Sequence, residues 1–394
     1  MKRKSFKDIN QKRIALLNQF MEEYKKSSDK KEVVEKYEET LQDITPFEIF
    51  CLSDYAQEVL LTIDQIKSEA GKFVNLFSQG LKKFSWNRFC SPLMEHFLTE
   101  NQAIKQHLTA MKEAVKTLSD SKSMSRFQTA LAQLLVVENK FIKMQNILFP
   151  IMEKKIPSTR PLSVLWSLHD DCNALMDAIL DHLKQNEKDE KLLNRQIGEF
   201  YFLLMGILYK EEQILFPIAS YIISPEEWKQ MAKEAATFPA VMIEPIQVEE
   251  QTPKPSTLED QTFKTLTGAL NFEQLDLILK HLPVDITFVD EFNRVAYFNE
   301  TASRIFPRTP SVIGRSVELC HPEKSVHVVQ KIIESFRLGI ADKAEFWIEY
   351  KNRFIYIVYY ALRDEQNNYK GVLEVTQDAT HIRSLQGQKR LLDW

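Results

Sequence analysis

Through the first 235 residues, apolar side chains recur at every third or fourth position, the spacing of one buried face of an α-helix. Glycine, which weakens helices, is scarce, with nine in the whole chain. Residues 1–82 divide into several shorter helices, one starting after Thr45 with Pro46 at its first position. Residues 85–232 carry four long helices, a bundle within a domain at 83–235. The pattern then changes. Glu244 to Leu258 is proline-bearing, acidic and free of aromatics, which marks a linker within 236–270. From Pro283 short β-rich runs take over, at 284–289, 294–298, 343–350, 353–362 and 370–377, with polar turns at Glu291 to Asn293 and Asp364 to Asn368. One helix is predicted after Cys320-His321-Pro322 and another from about Thr380 to Trp394. The fold class is multidomain: an all-α N-terminal half with a four-helix bundle, then an α+β domain at 271–394 with an antiparallel sheet.

The bundle is built as a repeated hairpin, because NILFPI (Asn146 to Ile151) returns as QILFPI (Gln213 to Ile218) late in the second and fourth helices. Its inward stripes are interrupted by polar residues. In the first helix Leu93, Phe97, Ile104, Leu108, Met111, Val115 and Leu118 leave Asn101 as the missing step. The third helix (Leu162, Leu165, Cys172, Met176, Ile179, Leu183) is interrupted at His169. The fourth (Ile197, Phe200, Leu204, Ile207, Ile214, Ile218) is interrupted at Glu211. In the second, either the Glu138/Gln145 row or the Lys140/Met144 row faces inward. Buried polar residues must be paired or ligated, since burying one alone costs several kcal/mol. His96, His107 and His182 lie off the stripes and are expected to face solvent.

On these residues the bundle resembles the hemerythrin-like (HHE) domain, which binds a di-iron centre. The family places an EH pair on the first helix, HxxxE before LFP on the second, another EH-type pair on the third and a second HxxxE before LFP. Here the first histidine falls at Asn101, and the second motif at Lys140 and Met144. The third histidine is kept as His169, with Asn173 as its i+4 companion. The fourth motif keeps Glu211, with Glu212 beside it, but has Ile207 for histidine. A di-iron site needs about five to seven converging nitrogen and carboxylate ligands. Only His169 and Glu211 stand where ligands belong, and Lys140 adds a cation. The expectation is a bundle without iron, its remnant satisfied as a His169–Glu211–Lys140 cluster beside Asn101.

The C-terminal third resembles a PAS domain through LPVDITFVDEFNRVAYFNE, the stretch from Arg304 to Gly339, AEFWIEY and GVLEVTQDATHIRSLQGQKRLLDW. The order of parts resembles the family known as domain of unknown function four-three-eight, which joins an N-terminal helical domain, a hemerythrin-like bundle and a PAS domain. In the run from Arg353 to Leu362, Phe354, Tyr356, Val358 and Tyr360 share one face, and Ile355, Ile357 and Tyr359 the other. A strand apolar on both faces is central and covered on both sides. One face closes a ligand pocket with Val326, Val329, Ile333 and Phe336. Cys320, His321, His327, Tyr356 and Tyr360 are the pocket candidates. A heme held by His321 or His327 is the alternative to a small metabolite or an empty pocket. Against heme, His321 is expected to cap the helix and His327 to lie off the apolar stripe.

Composition narrows the function. A net charge of −4 with no concentrated basic face argues against nucleic acid. Four scattered cysteines read as reduced cytoplasmic thiols. No apolar run reaches the ~20 residues of a transmembrane span. No nucleotide-binding or catalytic motif is legible. The expected function is a non-enzymatic cytoplasmic sensor or adaptor. Its PAS domain would bind a small molecule or an unidentified protein partner, and the PAS domain and C-terminal helix would form a homodimer. The competing expectation is di-iron or heme-based sensing of oxygen, nitric oxide or redox state, or iron handling.

Overall fold

The computed structural model describes residues 5–58, 62–115, 121–185, 189–247, 262–302 and 304–389. Leu118, much of the expected linker and the last five residues of the expected terminal helix lie outside the described residues. The chain divides into two units, 1–249 and 250–394. Among the described residues no helix is long and apolar enough to cross a membrane.

The first unit is helical, as the apolar spacing predicts. It opens with α1 (Gln11–Lys26), α2 (Lys30–Lys36), α3 (Glu38–Gln42), α4 (Pro46–Glu58), α5 (Ile63–Leu76) and α6 (Ser78–Lys82). Thr45 starts α4 with a capping box. Its hydroxyl accepts from the Glu48 N–H at 3.3 Å, and the Glu48 carboxylate accepts from the Thr45 N–H at 2.9 Å. Arg13 of α1 donates to the other oxygen of that carboxylate at 2.6 Å. One apolar core runs without a break from Phe20, Phe47 and Phe77 into Phe97, Phe149 and Phe216 of the bundle. The N-terminal helices and the bundle thus share a core.

The bundle comprises α7 (Pro92–Val115), then α8 (Ser121–Leu134), α9 (Val137–Lys143) and α10 (Phe149–Glu153), then α11 (Arg160–Lys184), then α12 (Glu190–Lys210) and α13 (Phe216–Ile222). The repeated hexapeptides explain the breaks. Each proline lacks an N–H, and the turn before it widens into a π-turn, at Met144–Leu148 and Glu211–Leu215. A fifth helix, α14 (Pro225–Ala235), follows under its own Ser224/Glu227 capping box and buries Trp228, Met231 and Ala235.

The second unit starts earlier than its β-rich composition suggests. A hairpin of β1 (Thr262–Thr265) and β2 (Gly268–Asn271) occupies part of the expected linker, and α15 (Phe272–His281) precedes Pro283. Five strands follow as predicted: β3 (Asp285–Asp290), β4 (Val295–Phe298), β5 (Lys343–Tyr350), β6 (Arg353–Arg363) and β7 (Tyr369–Asp378). They form one antiparallel sheet in the order β4-β3-β7-β6-β5. Helix α16 (Glu323–Arg337) covers it with Val329, Ile333 and Phe336. The long terminal helix is not formed among the described residues. α17 (Thr380–Ser384) is one turn, ended by extended Leu385 and by Gly387 at φ +65°.

Candidate functional site

The centre of the bundle holds two ammonium–carboxylate pairs. Lys140 and Lys143 lie one turn apart on α9, and both are fully buried with Glu100, Asn101, His169 and Glu211. Lys140 Nζ donates to Glu211 Oε2 at 2.7 Å, and its charge lies over the Phe97 and Phe216 rings at 5.7 and 5.6 Å. Lys143 bonds Glu100. Glu100 also takes the Val241 N–H at 3.0 Å, after α14, and has His96 Nε2 at 3.3 Å. Asn101 turns to Glu212, which Lys105 neutralises at 2.6 Å. The two pairs are electrically different. Burial pushes Glu211 above the usual carboxylate range despite Lys140. Burial also acts on Glu100, but the His96 hydrogen bond and the Lys143 and Lys140 charges outweigh it and hold Glu100 low. Lys143 is lowered by its own burial.

His169 does not join Glu211 and Lys140 in one hydrogen-bonded cluster. Its Nδ1 meets the Gln145 amide at 3.3 Å, and its ring stacks on Phe141 at 4.0 Å and 7°. Burial and the Lys140 charge hold it neutral, far below the ordinary imidazole value. The second-helix ambiguity resolves to the Lys140/Met144 row, with Glu138 and Gln145 half-buried. His96 and His182 are buried, not solvent-facing. His107 is half-buried and bonds the Ala103 carbonyl at 2.9 Å.

In the sheet unit, a cavity of about 30 Å³ lies between α16 and the sheet. Val289, Val317, Val329, Ile332, Ile333 and Val372 line it, with His321, Tyr359 and Glu374 as its polar groups. The alternation along β6 is as predicted, but the cavity face is the one bearing Tyr359. Tyr356 instead donates to Glu345 at 2.6 Å on the outer face, and Tyr360 is 40% exposed. His327 is exposed on α16. His321 does not cap α16; its Nδ1 donates to the Val317 carbonyl at 2.7 Å, leaving Nε2 as the second ring nitrogen. Cys320 is buried beside the cavity, its thiol 3.5 Å from the Ser316 carbonyl. Burial lowers His321, and burial with the Glu374 charge raises Tyr359. Both are therefore neutral near pH 7.

Residues 93–219 match the model of the hemerythrin HHE cation-binding domain, and residues 275–380 match that of a PAS domain. The chain joins a hemerythrin HHE domain to a PAS domain. A C-terminal domain from Streptococcus mutans is 39% identical, with 32% of this chain covering 98% of that one at a TM-score of 0.31. The PAS domain of a protein from Colwellia psychrerythraea is 16% identical (28% of this chain, 97% of that one, TM-score 0.23). A sensory box sensor histidine kinase from Vibrio cholerae is 15% identical (27% and 89%, TM-score 0.22). No curated protein matches the chain.

The residues of this HHE domain do not fit a di-iron centre. Among the described residues no three His, Cys, Asp or Glu side chains are placed to share a metal. At the two second-helix positions of the motif stand an ammonium (Lys140) and a thioether (Met144), and the buried carboxylates already face lysines. The PAS cavity does not fit heme either, since about 30 Å³ is room for a water-sized guest. Sequence reasoning missed Lys143, Glu100, Tyr359 and Glu374. The i, i+4 spacing of His96 and Glu100 and the i, i+3 spacing of Lys140 and Lys143 were the available signals.

Proposed function

We propose that this protein is a non-enzymatic signalling protein in which the PAS domain receives the input and the HHE domain is a metal-independent scaffold. The observation that carries this reading is the pair of buried ammonium–carboxylate couples, Lys140–Glu211 and Lys143–Glu100, at the centre of the HHE bundle. Two lysine cations supply positive charge where an iron pair would otherwise be required to balance the carboxylates. The PAS cavity then remains as the responsive site. His321, Tyr359 and Glu374 offer hydrogen bonds to a small neutral guest within apolar walls. A larger guest requires α16 to move from the sheet, and that movement is the signal.

The test is metal analysis of full-length protein from iron-replete cells, by inductively coupled plasma mass spectrometry and absorption spectroscopy. Less than about one iron per ten chains is expected, with no oxo-bridge charge-transfer band. Two irons per chain with that band would overturn the reading.

A further inference from the structure

A second cavity lies in the first unit, where α4 and α5 meet α11 and the end of α12, away from the paired charges of the bundle centre. It measures about 110 Å³. Its walls are apolar, with Phe50, Ile66, Leu165, Leu168 and Ile214 among them, and Lys210 is the one charged residue lining it among the described residues. Other lysines of this unit that leave the surface have acids: half-buried Lys67 reaches Asp64 at 2.7 Å and Asp171 at 2.6 Å, and buried Lys140 and Lys143 have their glutamates. Lys210 has none among the described residues. Its ammonium makes only a 3.4 Å hydrogen bond to the Gly206 carbonyl one turn back. Lys210 is half-buried at the cavity wall, and a ligand that brings a carboxylate supplies its ammonium with a charged partner.

The geometry points to a binding site for a small apolar monocarboxylate, its tail between Phe50, Leu165 and Ile214 and its carboxylate on the Lys210 ammonium. Size limits the tail. A cavity of ~150 Å³ accepts benzene, so this smaller one takes a branched tail of about four to five carbons. Lys210 immediately precedes the π-turn Glu211–Leu215, which supplies Ile214 to the cavity wall and Glu211 to the bundle centre.

The probe pair is 4-methylpentanoate and the uncharged 4-methylpentan-1-ol, titrated into full-length protein by isothermal calorimetry at pH 7. The acid is expected to bind at least about tenfold more tightly than the alcohol. Lys210→Met is expected to weaken the acid at least about tenfold and to leave the alcohol within about threefold. Lys210→Gln serves as the second variant if the first is not folded by circular dichroism. Failure of the acid to bind, equal affinity of acid and alcohol for the wild type, or an acid affinity unchanged by either variant would each overturn the proposal. The last result places the acid away from Lys210.

Discussion

Lys140 and Lys143 set the chemistry of the bundle centre. A lysine with 0% exposure is stable only against a fixed counter-charge, and each of these has one. Lys140 was legible in the sequence because it interrupts an apolar row that ends in Met144. Lys143 was not, because a lysine one turn further along the same helix reads as a solvated face until Glu100 is known to lie opposite. His169 shows the same limit: its position on the inward stripe was legible, but its choice of Gln145 over Glu211 was not. Lys140→Met strands Glu211 in an apolar core and is expected to destabilise the protein by about 3–5 kcal/mol. Urea unfolding followed by circular dichroism measures this, and an unchanged midpoint refutes the ion pair. Lys140→Met combined with Glu211→Leu removes both charges and is expected to recover most of the loss.

At the scale of elements, strand positions were legible to within a residue or so, because alternation and the turn residues agree. Asn293, at φ +62°, lies in one such turn. The hairpin β1–β2 escaped because its Phe263 and Leu270 are the only large side chains that pair across it, in a stretch that otherwise resembles linker. Which face of β6 meets the cavity also escaped. Alternation defines two faces but does not label them, and both carry tyrosine. The terminal helix ends at Ser384, where Leu385 turns extended, two residues before Gly387 at φ +65°. One glycine carries a sharp demand. Gly371 of β7 has φ +134°, and a Cβ there would stand 2.2 Å from the Val289 carbonyl oxygen. Gly371→Ala must push β3 from β7 and is expected to cost about 2–4 kcal/mol. Lower thermal stability of the PAS unit is the expected result; an unchanged transition would contradict the strand spacing.

At the scale of the molecule, we propose that the homodimer expected from the sequence uses the β5 edge of the PAS sheet. Phe346, Trp347 and Ile348 of the edge strand β5 are exposed, Trp347 by 62%, and Trp347 pairs with Tyr356 of β6. The segment after Asp378 is tied to the start of β6. Ala379 N–H donates to the Phe354 carbonyl at 2.8 Å, and Arg383 lies over the Phe354 ring at 3.9 Å. Deleting residues after Asp378 is expected to shift full-length protein from dimer towards monomer in light scattering. A mass unaffected by the deletion would move the contact elsewhere.

The chain order alone determined that half the protein is helical and that a five-stranded sheet follows. These are properties of local periodicity and residue type, which the backbone geometry of helix and strand converts directly into faces. Only the tertiary structure decided which charges meet. Lys143 finds Glu100 across 43 positions and Lys140 finds Glu211 across 71, and no local pattern encodes contacts at such separations. It also decided which tyrosine faces the PAS cavity and that Lys210 has no acid among the described residues, because both depend on which helix packs over which face.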